Sequence, residues 1–123
     1  MINIFTMIFL HILDDYTLQG ILASLKQQDW WKKNAPDDLY KHDYIAALIC
    51  HAYSWSFMVH IPLLVSVVRG TTPLLVFSLS LVIHAFIHAG IDHLKANKKR
   101  INLIEDQLMH LAQIVIISLL FLI

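Results

Sequence analysis

The stretch His84-Ala-Phe-Ile-His88-Ala-Gly-Ile-Asp92 closes an apolar run that begins at Thr71. Its three polar residues are four apart, so on a helix they share one stripe. The run is long enough to cross a bilayer, where a carboxylate costs roughly 2.5–3.5 kcal/mol on insertion scales. Helix packing alone does not require a carboxylate at this position. The stripe therefore indicates buried polar partners and a function.

Composition indicates one apolar domain. The chain has 123 residues, of which 58% are hydrophobic, too many for an ordinary soluble domain, and its eight histidines are many for so small a chain. The formal net charge of zero argues against nucleic acid as a partner, because such binding needs a basic surface. The single cysteine, Cys50, excludes an internal disulfide. No basic region precedes the apolar stretch 2–13, so we expect no removable signal peptide.

Polar connections divide the chain into four apolar segments. This pattern predicts an all-α protein, a four-span transmembrane helix bundle forming a single domain over residues 1–123. The first segment is the least apolar, and Pro62 is expected to kink the second. The predicted spans are 2–25, 44–68, 73–94 and 101–123.

Basic residues predict the orientation of this bundle. Residues 26–43 and 95–100 each carry four Lys or Arg, whereas the turn between the second and third spans carries only Arg69. By the positive-inside rule, both basic connections are cytoplasmic and both termini are extracytoplasmic. Trp30 and Trp31 in the first connection suit the headgroup layer, where indole rings are favoured.

Histidine and aspartate recur four residues apart in three of the spans. In the predicted topology these pairs and His51 lie in or near the cytoplasmic half of the membrane. Imidazole and carboxylate are the usual ligands of zinc and related divalent metals, and helices of a bundle can present them inward. We therefore predict one or two divalent ions, zinc first. The predicted ligands are His11, Asp15, His51, His88, Asp92, Asp106 and His110.

A resemblance accompanies these motifs. The chain resembles an uncharacterised family of small bacterial and phage integral membrane proteins, catalogued as a domain of unknown function. It is more loosely similar to membrane-bound metal-dependent hydrolases. The resemblance implies a bacterial inner-membrane, multi-pass protein, and it supports the metal ligands better than any particular reaction. The residues that carry it are His11-x3-Asp15-x3-Gln19, the Trp30 and Lys33 region, His51, His88-x3-Asp92-x2-Lys95 and Asp106-Gln107-x2-His110.

These observations predict a metal-dependent hydrolase acting on a membrane lipid, such as a phospholipid or an isoprenoid phosphate. A bound ion lowers the pKa of its water toward neutrality and makes that water a nucleophile. Asp14 or Glu105 is the candidate general base, and Lys95 could neutralise a substrate phosphate. A homo-oligomer or a partner membrane protein is compatible with the sequence.

Three other interpretations stay open. Each His/Asp pair taken alone is a buried hydrogen bond that fixes helix packing. The protein could instead be a haem-binding electron carrier, with His51 and His88 or His60 and His84 as axial ligands, although haem iron does not need the neighbouring carboxylates. It could also be a non-enzymatic subunit or a metal transporter. Otherwise we expect His60 and Trp55 to be packing residues, and three glutamines to hydrogen-bond to the ligands: Gln19, Gln107 and Gln113.

Overall fold

Helices form almost all of the part of the chain that the computed structural model describes, residues 2–121, and no strand occurs within that part. The prediction of an all-α protein is confirmed. A π-helical turn at Asp14–Leu18 extends the first helix, and short 3-10 turns lie at Asp38–Tyr40 and Ile61–Leu63. The α-helices are α1 (Ile2–Leu13), α2 (Leu22–Leu25), α3 (Gln28–Asn34), α4 (Asp43–His60), α5 (Leu64–Val68), α6 (Leu74–Ala96) and α7 (Leu103–Leu120).

Three helical stretches within residues 2–121 are long and apolar enough to cross a membrane. They are Asp38–Val68, Leu74–Ala96 and Leu103–Leu120, with 31, 23 and 18 residues. These correspond to the second, third and fourth predicted spans. Near Pro62, where a kink is expected, α4 ends at His60 and a 3-10 turn follows. Proline has no N–H to continue the α-helical ladder, which explains the change of helix type.

The first predicted span differs from the expectation of one helix over 2–25. Helix α1 and its π-helical turn run without a break from Ile2 to Leu18, after which the chain turns. The turn contains Gly20 with a φ of +51°, a left-handed conformation that other residues adopt only at a cost. The side-chain amide of Gln19 contacts the backbone carbonyl of Asp15 at the same place. The short helix α2 then redirects the chain towards the basic connection.

A core of buried apolar side chains lies in one half of the bundle. Trp55 and Val59 of α4 pack there with Met7 of α1 and Ile114 and Ile117 of α7, all fully buried. Between α4 and α6 the contact is made instead by small residues, including Ala52 and Ala89, which let helix backbones approach closely. Apolar side chains on the outer faces remain exposed, as a bilayer environment requires.

The two basic connections meet at one end of the bundle. The Asn97 side chain accepts a hydrogen bond from the Gln28 backbone at 2.7 Å and donates to the Lys26 carbonyl at 3.0 Å. Lys99 Nζ lies 2.9 Å from Asp29 Oδ2 on the exposed surface, and this hydrogen bond and charge lower the pKa of Asp29. The first and third connections are therefore on the same side of the protein, as the sequence predicted.

Candidate metal centre

Six side chains converge near this end of the bundle, which we call the carboxylate–imidazole cluster. Asp15 comes from the π-helical turn, and the other members come from α4, α6 and α7. Each of the histidines is fully buried, and none of the carboxylate side chains is more than 10% exposed. The cluster consists of Asp15, His51, His88, Asp92, Asp106 and His110.

Two groups within the cluster have the spacing of metal ligands. Asp15, His51 and His88 each offer one ligand atom, and these atoms lie within 4.8 Å of one another; the same holds for His88, Asp92 and His110. The His51 and His88 Nε2 atoms are 3.2 Å apart, and His51 Nε2 is 3.4 Å from Asp15 Oδ1. Ligand atoms of a tetrahedral ion with bonds of about 2.0–2.1 Å lie about 3.3 Å apart. The two separations that involve His51 are close to that value, and all three ligand atoms lie within 4.8 Å of one another.

Several of these buried atoms have no hydrogen-bond partner among the described residues. They include Asp15 Oδ1, Asp106 Oδ1 and His110 Nε2. A buried polar atom without a partner loses its hydration and gains nothing in return, so such atoms are rare in folded proteins. Their common position in the cluster fits a divalent cation, which takes oxygen and nitrogen donors of this kind.

Aromatic stacking fixes the plane of the His88 ring. The Trp55 ring stacks on the His88 ring with centroids 4.2 Å apart, and the His110 ring stacks on the His88 ring with centroids 4.1 Å apart. The ring therefore cannot rotate freely, and its Nε2 atom is directed at His51. Trp55, expected to be a packing residue, also orients a predicted ligand.

Asp14 lies on the Nδ1 side of the His51 ring, away from the other members of the cluster. Its Oδ1 accepts a hydrogen bond from Ser54 at 2.7 Å, and its Oδ2 is 3.8 Å from His51 Nδ1. The opposite nitrogen, His51 Nε2, faces the other members of the cluster. At this distance the two atoms form no hydrogen bond, and the predicted role of Asp14 as general base stays a prediction.

Both ring nitrogens of His11 are engaged. The Trp55 indole, which can only donate, gives a 2.7 Å hydrogen bond to His11 Nδ1. The proton of the neutral ring is therefore on Nε2, which donates to Gln107 Oε1 at 3.1 Å. His11 Nδ1 also lies 3.3 Å from Asp15 Oδ2. With no free lone pair, His11 is a neighbour of the cluster, whereas the sequence predicted a ligand.

Two lysines contact the cluster from the connection side. Lys26 Nζ donates to Asp92 Oδ2 at 2.6 Å, and Lys95 Nζ donates to Asp106 Oδ2 at 2.7 Å. A cavity of about 130 Å³ opens beside them, lined by both lysines and by three cluster carboxylates. Gln19 and Gln107 also line it, and Gln107 donates to Asp106 Oδ2 at 3.0 Å. Polar access to the cluster therefore exists from the end where the basic connections lie.

Glu105 has a different position from the one predicted. It is exposed, and its carboxylate accepts a hydrogen bond from the Asn102 backbone as part of a capping box at the start of α7. That arrangement satisfies the free N–H groups of the first helical turn. The structure does not bring Glu105 to the cluster, and its predicted role as general base stays a prediction.

His60 and His84 lie outside the cluster. His60 Nδ1 donates to the Ser56 carbonyl at 2.7 Å, and His60 Nε2 accepts from Ser80 Oγ at 2.9 Å. His84 Nδ1 donates to the Ser80 carbonyl at 2.8 Å. The prediction that His60 is a packing residue agrees with these contacts.

Sequence reasoning missed two residues that the structure places at the cluster, Lys26 and Trp55. Lys26 reaches Asp92 because the chain turns at Gly20. A glycine inside an apolar segment is the sequence feature that could have indicated this turn. Trp55 lies four residues after His51, the same spacing as the His/Asp pairs. That spacing places it on the ligand-bearing stripe of α4.

The fold and site define a class: an all-helical protein with three membrane-length helices and buried His/Asp groups that could hold a metal ion. A family model described as "Protein of unknown function (DUF3307)" matches residues 4–123, and the chain belongs to this family. The resemblance to a domain of unknown function is thereby confirmed. No curated protein and no solved structure matches the chain.

Proposed function

We propose that this protein is a membrane-embedded, metal-dependent hydrolase. The observation that carries the proposal is the group of Asp15, His51 and His88, whose buried ligand atoms lie within 4.8 Å of one another, with His51 Nε2 3.2 Å from His88 Nε2 and 3.4 Å from Asp15 Oδ1. Zinc is the first expectation for mixed imidazole and carboxylate ligands. A bound divalent ion would supply a water with a pKa near neutrality as nucleophile.

The proposed setting is a four-span bundle in the bacterial inner membrane, with both termini extracytoplasmic. Helix α1 and its π-helical turn provide 17 continuous residues, Ile2–Leu18, at the lower limit for a membrane span. The meeting of both basic connections at one end supports a common cytoplasmic face. The cluster then lies close to that face, where a lipid headgroup can reach it.

The proposed substrate is a membrane lipid carrying a phosphate ester. Lys26 and Lys95 line the cavity beside the cluster and offer positive charge next to the carboxylates. Ammonium groups stabilise charge that develops on phosphoryl oxygens. Neither Asp14 nor Glu105 lines this cavity, so the structure does not favour either of them as the general base.

The distance between His51 and His88 disfavours the haem interpretation. Axial ligands lie on opposite sides of one ion, about 4 Å apart when each bond is about 2.0–2.1 Å. The two Nε2 atoms are 3.2 Å apart, which suits neighbouring ligands of one ion. Trp55 and His110 also pack against the His88 ring, with centroids 4.2 and 4.1 Å from it and 5.5 Å from each other.

The test is release of soluble phosphate products from phospholipid or isoprenyl phosphate vesicles containing the purified full chain and added zinc or manganese. We expect turnover by the wild type and by His60→Ala, whose site lies outside the cluster. His51→Ala should lose more activity than the roughly 10- to 100-fold typical of residues that only orient a ligand. Metal binding without turnover on any such lipid would instead support a transporter or a non-enzymatic subunit.

A further inference from the structure

The carboxylate of Asp92 lies between two histidines from different helices. Its Oδ2 atom is 3.3 Å from His51 Nε2 on α4, and its Oδ1 atom is 3.3 Å from His110 Nε2 on α7. Each oxygen therefore has its own imidazole neighbour at the separation expected for two ligands of one ion. A carboxylate placed in this way can bridge two ions, as carboxylates do in metal sites of other helix bundles.

His110 and Asp106 give an independent reason to place an ion on the α7 side of this bridge. His110 Nε2 and Asp106 Oδ1 are 3.4 Å apart, and neither has a hydrogen-bond partner among the described residues. Both side chains are at least 99% buried. Two buried atoms without hydrogen-bond partners, both able to bind metal and this far apart, indicate a cation between them.

His88 cannot serve both groups through the same atom. A neutral imidazole nitrogen has one lone pair and binds one ion. His88 Nε2 is 3.2 Å from His51 Nε2 and 3.7 Å from Asp92 Oδ1, so it belongs with His51. Asp106, whose Oδ1 atom is 3.4 Å from His110 Nε2, can supply a ligand to the ion on the other side.

We propose that the cluster is a two-ion centre bridged by Asp92, which rests on the proposed metal-dependent function and deepens it. Asp15, His51 and His88 hold the first ion together with Asp92 Oδ2. Asp106 and His110 hold the second together with Asp92 Oδ1. In two-metal sites the ions are about 3.5–4 Å apart, which clamps both the attacking and the leaving oxygen of a phosphate ester.

The lysines complete this arrangement. Lys26 and Lys95 donate to the Oδ2 atoms of Asp92 and Asp106. Each carboxylate has about four lone-pair sites on its two oxygens, so one hydrogen bond from lysine leaves room for metal bonds. The ammonium groups also fix the carboxylates in place and offset their mutual repulsion.

The experiment uses the purified full chain in detergent, stripped with a chelator and titrated with Mn²⁺ alone. Bound manganese is counted by elemental analysis, and electron paramagnetic resonance reports whether ions are coupled. We expect about two ions per chain with a coupled signal in the wild type and in His60→Ala. His110→Ala and the nearly isosteric Asp106→Asn should each retain about one ion with an uncoupled signal.

One ion in the wild type, or two coupled ions in both the His110 and Asp106 variants, would overturn the bridge. Two ions without coupling would also overturn it. The absence of any bound ion would overturn the metal centre and with it the proposed function. Two coupled ions without lipid hydrolysis would refute the reaction but leave the two-ion centre standing.

Discussion

Trp55 connects two histidines that have different roles. Its indole N–H donates to His11, and its ring stacks on His88. The first contact holds His11 in the tautomer that has no free lone pair, and the second fixes the direction of His88 Nε2. Contacts with one buried aromatic side chain thereby distinguish the two residues, although both are histidines four residues away from an aspartate.

At this scale we predict that His11→Ala keeps bound metal, whereas His51→Ala loses the ion that His51 binds. Loss of His11 removes hydrogen bonds to Trp55 and Gln107 but no metal bond. Affinity should therefore fall by about 10- to 100-fold, the range for residues that only orient ligands. Titration with zinc, followed by calorimetry, measures it. Equal loss of metal in the two variants would make His11 a ligand after all.

Spacing in the sequence identified the members of the cluster but not these roles. Four-residue spacing places His11 with Asp15 and His88 with Asp92 on shared helix faces, and it treats both histidines alike. What separates them is contact with Trp55 and Gln107 from other helices. Such contacts depend on helix rotation and packing, which a single sequence does not determine.

Among the elements, the π-helical turn and the break after it shape the site. Asp14 and Asp15 lie in the turn, so one carboxylate reaches behind His51 while the other faces its Nε2 atom. π-helical turns occur often at functional sites. The break at Gly20 then lets Lys26 return to Asp92. Hydropathy predicted a single helix here because it averages over such local changes.

We predict that Gly20→Ala destabilises the fold and that Gly90→Ala does not. Gly20 has a φ of +51°, where a side chain costs about 1–2 kcal/mol. Gly90 lies inside α6 with nothing within 4 Å of an added methyl group, so alanine there should gain up to about 1 kcal/mol. Thermal unfolding in detergent compares them. A Gly20→Ala protein as stable as the wild type would show that this turn carries no strain.

At the scale of the whole molecule, three of the four predicted spans coincide with helices of membrane length. Long apolar runs predicted the helices at 44–68, 73–94 and 101–123, and the structure has membrane-length helices at Asp38–Val68, Leu74–Ala96 and Leu103–Leu120. Residues 122 and 123 lie outside the described range. Hydropathy locates these helices because each of them is a long apolar run bounded by polar connections.

The orientation makes a separate prediction. Because both basic connections meet at one end of the bundle, a reporter fused after Ile123 should be extracytoplasmic. A reporter placed in the connection near Lys98 should be cytoplasmic and serves as the matched control. A cytoplasmic signal from the C-terminal fusion would reverse the orientation or change the number of spans.

The central claim is that the carboxylate–imidazole cluster binds metal, and metal content by mass spectrometry tests it most directly. The wild type and His60→Ala should contain the same amount of tightly bound divalent metal, since the two ring nitrogens of His60 hydrogen-bond to Ser56 and Ser80, outside the cluster. His88→Ala and Asp92→Asn should each lose metal, because both residues present ligand atoms within the cluster. Equal metal content in all four proteins, or none in the wild type after growth with zinc, would contradict the account.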